Sequence, residues 1–164
     1  MNARLTVALL SVVLLSTDSD RAQGTDAVRL VGAWRLVSWE LQLADGTVRK
    51  NPMSVGSLMY SDTGRMCGVL MDPNRKAWTG RQPTDDEVRA AYNGIVAYCG
   101  TYEVDSKAGF VVHHVDIEKS PSNVGITRKR WYTLEGSRLS LRVDAAELPA
   151  NQKESRLVWE RVGR

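Results

Sequence analysis

Apolar and polar residues alternate most regularly between residues 97 and 118, in the segment AYCGTYEVDSKAGFVVHHVDIE. A period of two is typical of β-strands, so this segment predicts two strands joined by a turn at residues 106–109. The more apolar face of the second strand holds four residues: Val111, His113, Val115 and Ile117. Because neighbouring side chains of a strand point to opposite faces, His113 and His114 must diverge.

Similar patterns predict six further strands, at residues 30–43, 55–61, 65–71, 127–134, 137–143 and 154–162. In the first of them, Trp34 and Leu36 share one face and Trp39 lies on the other. The turn residues 62–64 (Asp-Thr-Gly) between the second and third of these segments predict a hairpin.

One helix is predicted between the strands at residues 65–71 and 98–105. Thr84 and Glu87 have the spacing of a capping box, and apolar residues then recur every three or four positions as far as about residue 97. The preceding loop is polar apart from Trp78. We interpret Trp78 as a packing anchor in preference to a lid residue.

Eight short strands in hairpin order, with one inserted helix, predict an all-β domain that is either a closed up-and-down barrel or a sandwich. Closure would remove the exposed edges of the sheet, and eight strands leave room for side chains and one small ligand.

The N-terminal residues 1–24 have the pattern of a signal peptide, which leaves residues 25–164 as the folded domain. Residues 5–16 form an apolar run after Arg4, shorter than the ~20 residues that span a bilayer. The alternative is an ordinary N-terminal helix, which the polar residues 17–20 disfavour. The rest of the sequence has no second apolar run, so we expect a periplasmic or secreted protein with no integral membrane segment after removal of residues 1–24.

The net charge of +3 is a mild excess, and its only dense cluster is residues 128–130. This cluster fits a strand with solvated basic side chains, so we expect no nucleic-acid partner. Cys67 and Cys99 lie in predicted strands and either form a disulfide or remain two buried thiols, the interpretation we favour. Their spacing is not that of metal ligands, and we expect neither a metal site nor a cofactor.

The residues also carry a resemblance. Residues 32–34 (Gly-Ala-Trp) are similar to the G-x-W signature of lipocalins. The blocks LVGAWRLVSWE, GSLMYSDTGRM, AYCGTYEV, HHV, VGITRKRWYTLEGSRLSL and LVWERV, in that order, resemble the bacterial lipocalin-like domain family over residues 30–162. The resemblance implies an eight-stranded antiparallel barrel with an internal cavity. It implies little about activity, although an arginine at the position of Arg130 is typical of the family.

Six residues are candidates for binding a ligand inside such a barrel: Tyr60, Tyr102, His113, His114, Arg130 and Tyr132. His113 is either a core histidine or a pocket residue, and His114 takes its place if the faces are reversed. Arg130 either anchors a carboxylate or carbonyl group or pairs with Glu160 or Glu103. We expect His113, Arg130 and Tyr102 to face one another across the cavity.

The leading functional hypothesis is an exported protein that binds a small apolar or amphipathic molecule in its barrel. One alternative is an isomerase or cyclase that uses a buried histidine and arginine for acid–base chemistry. Another is a structural envelope protein with a filled barrel. No nucleophile motif occurs in the sequence, so enzymatic activity is left open and no catalytic residue is assigned. The pattern specifies neither the ligand nor the oligomeric state.

Overall fold

The computed structural model describes residues 26–163, so the predicted signal peptide at residues 1–24 lies outside the described residues. Within the described residues, nine strands and the helix α1 form the framework: β1 (Gly32–Leu43), β2 (Val48–Lys50), β3 (Val55–Tyr60), β4 (Arg65–Met71), α1 (Asp85–Asn93), β5 (Ile95–Asp105), β6 (Phe110–Glu118), β7 (Thr127–Glu135), β8 (Arg138–Val143) and β9 (Gln152–Val162). A helical segment at residues 26–30 and two 3-10 turns, Pro121–Asn123 and Ala145–Glu147, complete the described secondary structure.

Eight of these strands form a closed antiparallel barrel. Each strand pairs with the next in the order β1-β3-β4-β5-β6-β7-β8-β9, and β9 pairs with β1 along nearly its whole length. The prediction of an eight-stranded barrel is therefore confirmed. The short strand β2, which the pattern did not predict, pairs only with residues 40–42 of β1.

The barrel is closed at one end by the start of β1. Leu30 and Trp34 are fully buried there, and the Trp34 indole N–H donates to the Leu30 carbonyl at 2.9 Å. The Arg161 guanidinium lies 4.1 Å above the Trp34 ring. Gly32 has a φ of +135°, and a Cβ atom on it would lie 2.5 Å from the Arg161 Nη1. The positive φ at position 32 therefore favours glycine, and the buried Trp34 ring fills this end of the barrel.

Bulges in two strands change which residues face the interior. In β1 the pairing with β9 shifts at Val37, and Trp39 turns inward onto the same side as Trp34. In β6 the pairing with β5 skips Asp116, which places Ile117 outside with 60% exposure. The predicted face assignments of Trp39 and Ile117 were wrong because an extra residue reverses the alternation beyond it.

Gly100 makes the β6 bulge possible. A Cβ atom on Gly100 would lie 1.9 Å from the His114 carbonyl oxygen, so only glycine fits this close backbone approach. Beyond the bulge, the Glu118 side chain points into the barrel and is almost fully buried.

Helix α1 begins where the sequence predicts it, but it ends before residue 97, where the predicted helix ends. The Thr84 hydroxyl accepts from the Glu87 N–H and the Glu87 carboxylate accepts from the Thr84 N–H, which confirms the capping box. The helix stops at Asn93, and β5 starts at Ile95. No residue of α1 is buried, and Trp78 in the preceding loop is 54% exposed, so the interpretation of Trp78 as a packing anchor was wrong.

Cys67 and Cys99 form a disulfide across neighbouring strands. They are directly opposite each other in the β4–β5 pair, with an S–S distance of 2.09 Å. The interpretation that we favoured, two buried thiols, was therefore wrong, and the alternative of a disulfide is the one that the structure has. The bond joins the two strands that flank the long excursion containing α1.

We expect replacement of Trp34 by alanine to lower the free energy of unfolding by about 3–5 kcal/mol, because it removes a large, fully buried aromatic side chain. Chemical denaturation monitored by circular dichroism measures this loss. The same substitution at the exposed Trp78 is the matched control, with an expected change within about 0.5 kcal/mol. Equal effects at the two positions would contradict the assigned role of Trp34.

Candidate functional site

A cavity of about 530 Å³ opens at the end of the barrel opposite Trp34. Two walls of it differ in chemistry. The apolar wall comes from β1, β4 and β9 and consists of Trp39, Leu41, Leu70 and Leu157. The polar wall comes from β5, β6 and β7 and consists of Tyr98, Glu118, Arg128 and Arg130. The remaining lining residues include Tyr92, Val96, Lys119, Val143 and Glu147.

The two arginines of the polar wall are two positions apart on β7, so their side chains lie on the same face of the strand and both point inward. Arg128 donates to the Glu118 carboxylate at 3.1 Å. Arg130 donates to the Glu147 carboxylate at 2.7 Å and to the Lys129 carbonyl at 2.6 Å. Each partly or fully buried cation therefore has a carboxylate partner, which offsets the cost of removing it from water.

Lys119 adds a further positive charge at the rim of the cavity. Its ammonium group donates to the carbonyls of Tyr92 and Ile95, at 2.5 and 2.6 Å, and it forms no ion pair with a carboxylate of residues 26–163. Three cations (Lys119, Arg128 and Arg130) therefore face two carboxylates (Glu118 and Glu147) around the cavity. The lining of the cavity thus has one more positively charged side chain than negatively charged ones.

His113 lies deeper in the barrel and is fully buried. Its Nε2 is 2.7 Å from the Tyr60 hydroxyl, and its Nδ1 is 3.1 Å from the Tyr98 hydroxyl. Burial lowers the pKa of His113 to about 3, with further lowering by the positive charges of Arg130 and Arg128. The imidazole is therefore neutral at physiological pH and bridges two hydroxyl groups.

The tyrosines around His113 are also neutral. Burial raises the pKa of Tyr60 well above its ordinary value and raises the pKa of Tyr98 as well. Tyr60 packs edge-on against Tyr102, with 4.7 Å between ring centroids. Below the charged rim, the interior thus contains polar groups that form hydrogen bonds without carrying charge.

The structure separates the six predicted site residues. Arg130 lines the cavity, whereas Tyr60 and His113 lie beneath it in the core. Tyr102 lies opposite His113 in the β5–β6 pair, and its hydroxyl donates a hydrogen bond to the Ser61 carbonyl at 2.9 Å. The expectation that His113, Arg130 and Tyr102 face one another across the cavity is therefore corrected, because only Arg130 reaches it.

The other two predicted residues lie away from the cavity. Tyr132 donates to the Asp26 carboxylate at 2.9 Å, in the segment that precedes β1. His114 points outward, with its Nε2 3.5 Å from Glu103, so the interpretation of His114 as a pocket residue is corrected. The proposed partners of Arg130 are corrected as well, because Glu160 pairs with Arg35 and Glu103 lies beside His114, both on the outer surface.

Several residues of the cavity were not selected from the sequence. Arg128 is two positions from Arg130 in a predicted strand, so the period of two already placed both side chains on the same face and could have identified Arg128. Trp39, whose indole N–H donates to the Ser155 hydroxyl at 2.9 Å, and Glu118 reach the interior only because of the bulges. Glu147 lies in a 3-10 turn of the β8–β9 connection, and no local pattern links it to Arg130.

Comparison with known proteins agrees with this architecture. The sequence profile of the lipocalin-like domain matches residues 31–162. The chain belongs to the lipocalin-like domain family. No curated protein matches the chain.

Two solved structures are similar to this lipocalin-like domain. One is a lipocalin-like protein from Bacteroides uniformis, with 15% identity, a TM-score of 0.43, and coverage of 81% of this chain and 98% of that protein. The other is an uncharacterized protein from Bacteroides eggerthii, with 13% identity, a TM-score of 0.44, and coverage of 81% and 99%. Within residues 26–163, no helix is long and apolar enough to cross a membrane.

Protonation of His113 should destabilise this lipocalin-like domain in mild acid. An ordinary histidine of the unfolded chain has a pKa near 6.5, above the folded value of about 3, so the unfolded state binds the proton first. The neutral His113 makes its full contribution to the free energy of unfolding above pH 6.5, and this contribution falls as the pH decreases. Between pH 7 and pH 5 we expect a loss of about 2 kcal/mol in the free energy of unfolding.

Urea denaturation at several pH values measures this slope. His113→Gln is the matched variant, because a side-chain amide can both donate and accept hydrogen bonds but does not titrate. The variant should show a flatter dependence over the same range. An equal slope in both proteins would contradict the assignment of this pH dependence to His113.

Proposed function

We propose that this lipocalin-like domain binds a small amphipathic molecule in the cavity at the open end of its barrel. The observation that carries the proposal is the cavity of about 530 Å³, with an apolar wall on one side and a polar wall on the other. Small-molecule sites are typically clefts of roughly 300–1,000 Å³ with mostly apolar lining and a few polar groups that orient the ligand.

The two walls define the kind of molecule. Trp39, Leu70 and Leu157 offer apolar surface, which favours an aliphatic or aromatic body. On the polar wall, Arg128 and Arg130 supply N–H donors, and the rim has one more positive than negative charge. A ligand with an apolar body and a polar or anionic end would satisfy both walls at once.

Two other functions receive less support. An isomerase or cyclase would need His113 to reach the substrate, but both of its ring nitrogens are hydrogen-bonded to tyrosines and its side chain is fully buried. A structural role for a filled barrel is disfavoured by the open cavity. Binding without chemistry is the function that accounts for both observations.

A fluorescent probe with an apolar body and an anionic end tests the proposal. We expect 8-anilinonaphthalene-1-sulfonate to bind saturably with a stoichiometry of one and with increased fluorescence. Val96→Trp, which places an indole in the cavity, should weaken this binding at least about tenfold, the equivalent of 1.4 kcal/mol. Fluorescence titration measures both affinities.

Val69→Trp is the matched control, since Val69 lies on the neighbouring strand β4 and is exposed on the outer surface. Thermal unfolding verifies that both variants fold. Binding that is unsaturable, or that is unaffected by Val96→Trp, would contradict binding in the cavity.

We further propose that the protein is exported to the periplasm or secreted after removal of residues 1–24. The Cys67–Cys99 disulfide supports this proposal, because disulfides persist mainly in oxidising compartments. Protein purified from its native host should then begin at or near Thr25, which N-terminal sequencing determines. Soluble cytosolic protein that retains Met1 or Asn2 would contradict the proposal.

A further inference from the structure

We infer that Tyr98 is the hydrogen-bond donor that recognises the polar end of the ligand, and that this end is a carboxylate. The inference rests on the proposed function, because it concerns a ligand in the same cavity. His113 is hydrogen-bonded to two tyrosines, Tyr60 in the core and Tyr98 at the cavity. Tyr98 is the member of this buried chain of hydrogen bonds that also belongs to the polar wall.

The chain consists of Tyr60, His113 and Tyr98 in that order. A neutral imidazole has one N–H donor and one acceptor nitrogen, so one tyrosine must donate to it and the other must accept from it. The Tyr60 hydroxyl is completely buried, and His113 is its only hydrogen-bond partner among the described residues. If Tyr60 accepted from His113, its own hydroxyl hydrogen would be buried without an acceptor, which costs free energy.

The direction of the chain is thereby determined. Tyr60 donates to His113 Nε2, and His113 Nδ1–H donates to the Tyr98 oxygen. The hydroxyl hydrogen of Tyr98 is then not used by His113. Among residues 26–163, no other acceptor forms a hydrogen bond with this hydroxyl, so its hydrogen is available to a molecule in the cavity.

The surroundings of Tyr98 are rich in donors. The Arg128 guanidinium lies 5.1 Å from the centre of the Tyr98 ring, and its buried Nε–H has no hydrogen-bond partner in the described chain. Lys119 brings the unbalanced positive charge at the rim. A group that accepts several hydrogen bonds and carries a negative charge fits this arrangement, whereas the carboxylates that could hold an ammonium group, Glu118 and Glu147, are already paired with Arg128 and Arg130.

The tautomer of His113 is the first test and needs no ligand. Long-range ¹H–¹⁵N correlation spectroscopy of the ¹⁵N-labelled full-length protein identifies which ring nitrogen carries the proton. We expect the proton on Nδ1. A proton on Nε2 would make Tyr98 the donor to His113 and would overturn the inference without affecting cavity binding.

Head-group selectivity is the second test. Isothermal titration calorimetry compares decanoate, decanol and decyltrimethylammonium, which share one alkyl chain. We expect decanoate to bind most tightly. Tyr98→Phe should weaken decanoate binding about tenfold, the effect of losing one hydrogen bond to a charged acceptor, and should change decanol binding less. Tyr102→Phe is the matched control, since the Tyr102 hydroxyl donates to the Ser61 carbonyl and should leave the selectivity unchanged.

The possible outcomes separate this inference from the proposed function. Equal affinities for decanoate and decanol, or unchanged selectivity in Tyr98→Phe, would overturn the role of Tyr98 while cavity binding stands. Tightest binding of decyltrimethylammonium would overturn the carboxylate assignment. Failure of all three probes and of the fluorescent probe would overturn the proposed function and the inference together.

Discussion

The pairing of β1 with β9 is the constraint on which the rest of the structure depends. Without it, the eight strands would form an open sheet with two unpaired edges and one apolar face in water. With it, the inward faces of all eight strands enclose one interior. Strand β1 is long enough to pair with β9 along its length while its first part pairs with β3 and its last part with β2. The same strand therefore closes the barrel and contributes Trp34 to one end and Trp39 to the other.

The polar groups inside the barrel differ in charge according to how far they lie from water. At the open end, the arginines carry full charges and are held by Glu118 and Glu147. Deeper in the barrel, His113 and Tyr60 are neutral and form hydrogen bonds with each other. This order follows from the cost of burying a charge, which far exceeds the cost of burying a hydrogen-bonded neutral group. The ion pairs consequently mark the depth at which charged side chains give way to neutral ones in this interior.

The fold could be predicted from the sequence because its signals are local. Alternation identified the eight barrel strands, and the spacing of Thr84 and Glu87 identified the start of α1. The interior was harder to predict, since one extra residue in β1 and another in β6 reverse the faces beyond them. Gly100 was a visible clue to the second bulge, but its meaning depends on the His114 backbone, which belongs to another strand. Pairs such as Cys67 with Cys99, or Arg130 with Glu147, depend on strand register and loop position, which no local pattern encodes.

The bulges also explain why the site has two unlike walls. In a barrel with uninterrupted alternation, Trp39 would point outward and Glu118 would be exposed. The shift in β1 instead adds an aromatic ring to the apolar wall, and the shift in β6 adds a carboxylate to the polar wall. Glu118 then holds Arg128, and Arg128 lies over the ring of Tyr98. The arrangement of the polar wall therefore depends on the absence of a side chain at Gly100, a position that itself contacts no part of the cavity.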